Sequence, residues 1–196
     1  MRNSTKILIC GVGGQGVVFI TNLLVKAAML ADVNVWTSEV HGLAQRGGSV
    51  RAGITFGEHT AGFIDKGSVN ILLGFEPLEV QRCVSYLNHE SVVVLDVKRV
   101  LPNCVHTGTA NYPDTNKLFT YLTENVHEVF FLDDEMKDVN PVMRNLYLLG
   151  VACNQDVFPF NSLYVKKAIE LIAKKEKVKE SLGVFESALL VKDRVI

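Results

Sequence analysis

The chain has 196 residues, 48% of them hydrophobic and 21% charged, with a formal net charge of −1. That length and balance suit a single domain, residues 1–196, around one sizeable core. They exclude an electrostatic drive toward nucleic acid, which needs clustered positive charge. No apolar run reaches the roughly 18–20 residues of a membrane span. No secretory leader is read at the start, where a short apolar run enters a glycine loop directly. The cysteines, Cys10, Cys83, Cys104 and Cys153, form no C-x-x-C pair. They read as reduced thiols of a cytoplasmic protein without a metal site, Cys10 acting as a small hydrophobe.

Taken in chain order, "KILIC" (Lys6 to Cys10) predicts a buried strand. "GVGGQG" follows it. Val17, Ile20, Leu24, Ala27 or Ala28, and Ala31 then recur at helical spacing, and "VNVWTS" (Val33 to Ser38) predicts a second strand. This β-α-β start implies a parallel sheet. "SVRAGITFG" (Ser49 to Gly57) and "TAGFID" (Thr60 to Asp65) flank Gly57-Glu58-His59 and read as an inserted hairpin. Further strands are expected at Val69 to Phe75, Ser91 to Val97 and Glu128 to Asp133.

Helices are expected at Glu76 to Leu87 and Asp114 to Asn125, the latter capped by Asp114. Others follow at Asn140 to Cys153, with Asn140 as cap and Pro141 at the first helical position, and at Ser162 to Glu176, capped by Ser162. A final helix is placed around Lys177 to Leu190. The lysines of this region alternate with Glu170, Glu176 and Glu180, as on a solvated helix face. The fold class is therefore α/β: a three-layer, Rossmann-like open sheet, mostly parallel, with helices on both faces and a β-hairpin insertion.

Gly11, Gly13 and Gly16 match G-x-G-x-x-G between a strand and a helix. Glycines there permit a tight turn and close approach, and the helix aims free N–H groups at an anion such as a phosphate. The loop also suits plain helix–strand packing. A dinucleotide site further wants an acid about 20 residues on, for the ribose. Glu39 lies 23 residues past Gly16, late for that role. No G-K-[ST] follows, so a phosphate loop of the nucleotide-hydrolase kind is excluded.

Two features remain. Gly14 and Gln15 fall outside the dinucleotide fingerprint, and "SEVHGLAQRGGS" sets Ser38, Glu39, His41, Gly42, Gln45, Arg46, Gly47, Gly48 and Ser49 at the end of the second strand. In an open α/β sheet that end lies on the same carboxyl edge as the glycine loop, so the two motifs are expected to meet across one crevice. Arg46 suits a phosphate or carboxylate bidentately, and Gln45 and His41 offer hydrogen bonds. The competing reading pairs Glu39 with Arg46 and folds the loop on itself.

The pair G-x-G-G-Q-G plus S-E-x-H-G-x-[AS]-Q-R-G-G resembles the gamma chain or domain family of the 2-oxoacid:ferredoxin oxidoreductases, nearest its indolepyruvate-oxidising branch. The likeness continues loosely through "LLGFEPLEVQRCVSYL" and "NLYLLGVACN". It departs at Val184-Phe185, where such chains carry an Ala-Phe pair. The resemblance implies a subunit, not catalytic alone, of an enzyme that oxidatively decarboxylates a 2-oxoacid to an acyl-CoA. Thiamine diphosphate and iron–sulfur clusters would sit on a larger partner subunit, coenzyme A would be co-substrate, and ferredoxin would take electrons through the complex. The expected cofactor-facing residues are Gly11, Gly13, Gly14, Gln15, Gly16, Glu39, His41, Gln45, Arg46, Gly47, Gly48 and Ser49. No cofactor is expected to bind this chain tightly, no nucleic acid or membrane is expected as partner, and self-pairing of the isolated chain stays open. An autonomous dinucleotide-binding reductase and a nucleotide-sensing module are the alternatives.

Overall fold

A run of alternating apolar side chains decides the architecture. Strand β1 (Ser4–Val12) sends Ile7 and Ile9 into one hydrophobic cluster and Leu8 and Cys10 into another. Period-two alternation with both sets buried is the mark of a strand sandwiched between two layers. The computed structural model describes residues 4–41, 47–58, 63–132 and 140–191, with only the backbone at positions 40 and 41.

The other strands are β2 (Val35–His41), β3 (Ser49–Gly57), β4 (Ile71–Gly74), β5 (Val92–Asp96) and β6 (Glu128–Leu132). They form one six-stranded sheet in the order β2-β3-β1-β4-β5-β6. β1, β4, β5 and β6 are mutually parallel, whereas β3 runs antiparallel to both β1 and β2. The mostly parallel open sheet expected from the sequence is therefore present, but two details differ. β2 does not lie beside β1, because β3 is interposed between them. The hairpin is β2–β3, not Ser49 to Gly57 with Thr60 to Asp65. Phe63–Asp65 carries no strand, and positions 59–62 lie outside the described residues. The signal was ambiguous because "TAGFID" and "VNVWTS" are equally short and apolar. Only cross-strand packing chooses between them.

Helix α1 (Val17–Leu30) covers one face together with α5 (Pro141–Cys153), α6 (Ser162–Ile172) and α7 (Val178–Ala188). The other face is covered by α2 (Pro77–Cys83) and α4 (Thr115–Asn125); α3 (Asn103–His106) is one short turn between them. Ile20, Leu23 and Leu24 of α1 are fully buried, each contributing about 1.5–3 kcal/mol. Among the described residues no helix is long and apolar enough to cross a membrane.

The caps follow local chemistry. Asp114 accepts from the Asn116 N–H at 3.0 Å, and Asn140 from the Val142 N–H at 2.9 Å, with Pro141 opening the helix as expected. α6 is capped by Asn161, whose Oδ1 accepts from the Leu163 N–H at 2.8 Å, one residue before the Ser162 expected. α6 ends at Ile172 and a 3-10 turn at Lys175–Lys177 joins it to α7. The helix expected to run to Leu87 ends at Cys83, continued by a 3-10 turn over Val84–Tyr86. α2 is capped by Glu76, a fully buried carboxylate that accepts the Glu79 N–H at 3.0 Å, the Val100 N–H at 3.2 Å and the Tyr112 hydroxyl. One acid thereby ties the irregular segment after β5 to the end of β4. Burial, and then the bond to Glu76, pushes the Tyr112 hydroxyl above its ordinary pKa.

α7 docks through Phe185, fully buried, at the family departure noted above. Its backbone passes so close to α5 that a Cβ on Gly150 would lie 2.6 Å from the Ala188 Cβ and 2.7 Å from the Phe185 carbonyl oxygen. A Cβ on Gly183 would meet nothing within 4 Å. Gly150→Ala is therefore expected to destabilise by about 1–3 kcal/mol through overpacking. Gly183→Ala should stabilise by up to about 1 kcal/mol through helix propensity. Urea unfolding of the two variants beside the parent chain checks the opposite signs.

Candidate functional site

The carboxyl ends of β1, β4, β5 and β6 share one edge, and β3 begins there. The register Val12↔Ser49 sets the end of β1 against the start of β3. The next residue on each side continues the contact: the Gly13 N–H donates to the Gly48 carbonyl at 2.8 Å. The two glycine-rich motifs thus meet, as the sequence led us to expect. Gly11, Gly13, Gly14, Gln15, Gly16, Gly47, Gly48 and Ser49 gather at this edge.

Gln15 has a specific task there. Its Oε1 accepts the Val12 N–H at 2.6 Å and its Nε2 donates to the Phe75 carbonyl at 2.9 Å. Both ends of the amide are held by backbone, so the side chain braces the loop between β1 and the end of β4. A Cβ on Gly11 would fall 2.9 Å from the Gln15 Oε1, and so the brace needs glycine there. The Gly13 N–H is likewise taken by Gly48. The parts of the loop left facing outward are Gly14, which is exposed, and the start of α1.

The N-cap of α1 is Gly16, with φ 94°, in the left-handed region that glycine enters without steric cost, and no side chain caps the helix. No acidic residue lies in its first turn. Such a terminus favours an anion through its unpaired N–H groups and its dipole.

Four residues of this edge were not singled out in the sequence: Glu76, Asp96, Arg144 and Asn145. Asn145, on α5, donates from Nδ2 to the Gln15 carbonyl at 2.6 Å, and the same Nδ2 lies 2.8 Å from where a Gly16 Cβ would sit. Beside it, Arg144 donates from Nε to Asp96 Oδ2 at 2.7 Å and from Nη2 to Asp96 Oδ1 at 2.5 Å. The pair is almost fully buried, at 2% and 7% side-chain exposure. Asp96 also accepts the Lys98 N–H at 2.8 Å. The Arg144 Nη1 is buried without a hydrogen-bond partner among the described residues. The available signals were slight: an aspartate closing a valine run, and two adjacent polar residues near the start of an apolar helix.

Glu39 sits exposed on β2, opposite Ala52 of β3. With strands about 4.8 Å apart, β2 is roughly 10 Å from β1, so Glu39 does not flank the glycine loop as a ribose-binding acid would. The His41 backbone pairs with Val50; its side chain, and Gly42, Gln45 and Arg46, lie outside the described residues. A cleft of about 840 Å³ opens at the opposite, amino edge of the sheet, between Thr5, Val92, Glu128 and Phe158. It lies away from both motifs.

Gln15→Ala should leave the Val12 N–H and the Phe75 carbonyl without their partner and cost about 1–3 kcal/mol. Arg144→Met should cost more, about 3–5 kcal/mol, because it strands the Asp96 charge in the interior. Chemical denaturation of each variant measures both. A cost under 1 kcal/mol for Arg144→Met would mean that Asp96 reaches water.

Residues 6–191 match the family described as pyruvate ferredoxin/flavodoxin oxidoreductase. The chain is 33% identical over 166 residues to indolepyruvate oxidoreductase subunit IorB of Archaeoglobus fulgidus, covering 83% of each chain. It is 32% identical over 185 residues to the IorB subunit of Pyrococcus horikoshii, covering 92% of each. Its fold is like that of a keto/oxoacid ferredoxin oxidoreductase gamma subunit from Geobacter sulfurreducens, with TM-score 0.66 and 17% identity over 95% of this chain and 94% of that one. It is also like part of a 2-oxoglutarate:ferredoxin oxidoreductase from Magnetococcus marinus, solved with 2-oxoglutarate, coenzyme A and succinyl-CoA bound. There the TM-score is 0.70 and the identity 14%, over 100% of this chain and 33% of that one. By the extent of the family match and the identity to the two IorB subunits, the chain belongs to the pyruvate ferredoxin/flavodoxin oxidoreductase family.

Proposed function

We propose that this chain is a subunit of a 2-oxoacid:ferredoxin oxidoreductase, with indolepyruvate as the favoured 2-oxoacid, working in the cytoplasm. The assembled enzyme converts the oxoacid to an acyl-CoA and passes electrons to ferredoxin. This chain completes the active site beside a larger partner that holds thiamine diphosphate and the iron–sulfur clusters. The observation that carries the reading is the Gly13–Gly48 contact, which welds two glycine-rich polar motifs into one surface on the carboxyl edge. The relatives named IorB support the substrate class.

The donor set here does not fit an iron–sulfur cluster. Cys10 and Cys83 are buried, Cys104 lies exposed on α3, and Cys153 ends α5 on the other face of the sheet. Among the described residues no three His, Cys, Asp or Glu side chains are placed to hold a metal ion. The start of α1 does fit an anion, and the phosphates of coenzyme A or of the partner's thiamine diphosphate are the anions that this reaction supplies. In this reading Gly14, Gly16 and Ser49 face the ligand with His41, Gln45, Arg46 and Gly47, Gly11, Gly13, Gln15 and Gly48 hold the surface in shape, and Glu39, a strand away on β2, stands apart from the ligand. The interposed β3 speaks against the dinucleotide reductase, because it moves the only candidate ribose acid a strand away.

The purified chain, given an aryl pyruvate, coenzyme A and a viologen dye, should reduce the dye only at background rate. Turnover should appear when the thiamine-bearing partner is added. Arg46→Ala should leave the melting temperature of the chain nearly unchanged, and lower turnover of the assembled enzyme tenfold or more, with Arg46→Lys restoring part of it. Tight binding of a reduced nicotinamide by the isolated chain would instead favour the reductase.

A further inference from the structure

The cleft at the amino edge of the sheet has no part in the function proposed above, and its chemistry is opposite to that of the glycine-loop edge. Its volume of about 840 Å³ falls in the range of about 300–1,000 Å³ typical of small-molecule sites. It opens where β1, β5 and β6 begin, with Val92, Phe130 and Phe158 as an apolar floor. Phe158 is packed edge-on to Phe160, with ring centroids 5.1 Å apart. The loop that carries it is tied down on several sides. The Thr5 hydroxyl donates to the Val157 carbonyl at 3.4 Å, Asn154 Nδ2 to the Val191 carbonyl at 3.1 Å, and Gln155 Nε2 to the Val151 carbonyl at 3.1 Å. The cleft is therefore preformed.

Its charge is one-sided. Three carboxylates, Glu90, Glu128 and Asp156, line it, and among the described residues no lysine or arginine does. Glu128 and Asp156 are not ion-paired with any described residue. Three helices also end at the wall: α4 runs out into His127, α5 into Asn154 and α7 into Val191. None of the three has a basic residue in its last turn, so each presents the negative end of its dipole without a compensating side chain. The N-terminus of α6 follows beyond Pro159, but Asn161 caps it. The Thr5 hydroxyl and the two amide groups are already engaged in the bonds given above. Apart from the His127 imidazole, what the side chains of the wall still offer are carboxylate acceptors. A ligand here must bring hydrogen-bond donors, positive charge and an apolar body.

We infer that this cleft is a binding site for a small organic cation, an ammonium or amidinium group carried on an aromatic or aliphatic body. The body lies on Phe130 and Phe158, whose ring faces also attract a cation. The charged group reaches Glu128 and Asp156, which accept its N–H bonds. Phosphates and carboxylates, the anions suited to the start of α1, are repelled here. The two edges lie at opposite ends of the same strands, so both can be filled at once.

Chemical-shift mapping on the isotope-labelled full chain tests this, with 2-phenylethylamine and benzamidine as cations, 2-phenylethanol as the neutral counterpart and phenylacetate as the anion. Both cations should shift the amide signals of positions 127–128 and 154–158, bind at least severalfold more tightly than the alcohol, and weaken as salt is raised. Phenylacetate should not bind there. Glu128→Gln combined with Asp156→Asn should lower the affinity for both cations at least severalfold and leave that for the alcohol unchanged. Asp156 is exposed and Glu128 half-buried, so the double variant should keep the parent's melting temperature to within a few degrees. Equal binding of cation and alcohol, binding of phenylacetate as tight as that of the cations, shifts centred elsewhere, no binding of either cation, or a double variant that binds the cations as the parent does overturns the inference. None of these outcomes depends on the partner subunit or on oxoacid turnover.

Discussion

The antiparallel pairing of β3 with β1 is the constraint from which the functional edge is built. Nine residue pairs run in register from Ser4↔Gly57 to Val12↔Ser49. A slip by one residue would turn Ile54 and Ala52 out of the core, so apolar burial pins the register along the strand. A fixed register delivers Gly48 to Gly13 and holds the second motif against the first. The same pairing pushes β2 out by one strand, which is why a glycine loop that reads as a dinucleotide fingerprint does not have dinucleotide geometry. Sheet order, more than the loop sequence, separates the two functions.

Much of the molecule is legible in the sequence because it follows from local rules. β5 and α5 are read almost residue for residue, from a valine run and an apolar helix opened by Asn140-Pro141, and β1 is read in its buried middle, Lys6 to Cys10, but runs two residues further at each end. Cap chemistry was right at Asp114 and Asn140 and one residue late at Ser162, where Asn161 and Ser162 are both good caps and only the chain's entry angle decides. The order of the strands was not legible. β-α-β patterning carries no record of a later strand inserting itself between the first two. The hairpin partner of "SVRAGITFG" was misassigned for the same reason, since strand pairing is a long-range choice.

The site divides along the same line. Residues in motifs could be named from sequence because glycine and amide groups at close spacing have few structural uses. Their separate tasks could not. Gln15 reads as a ligand-facing amide until its two bonds to Val12 and Phe75 are seen. Asn145 lies 130 positions from Gln15, and no local pattern announces a bond across that distance. Glu76 is similar: in sequence it is a charge before a proline, and in the structure it is a fully buried cap with three donors. Polar groups whose partners come from distant elements are invisible to periodicity and spacing.

Why a loop this polar should be backed by a buried ion pair follows from geometry more than from energy. An ion pair in the interior returns little net stability, because desolvating both charges offsets their attraction. What the Arg144–Asp96 pair does supply is direction. Two parallel N–H···O bonds to the last residue of β5 fix how far α5 is rotated about its axis. The next residue on that helix is Asn145. A turn of α5 by a few degrees would move the Asn145 amide off the Gln15 carbonyl or into Gly16, where the space for even one added carbon is already taken. Apolar contacts alone tolerate such a turn, since they are many and non-directional. The ion pair does not, and through Asn145 it gives the glycine loop and the start of α1 one position relative to the sheet, as a surface must have if it is to complete an active site on another chain.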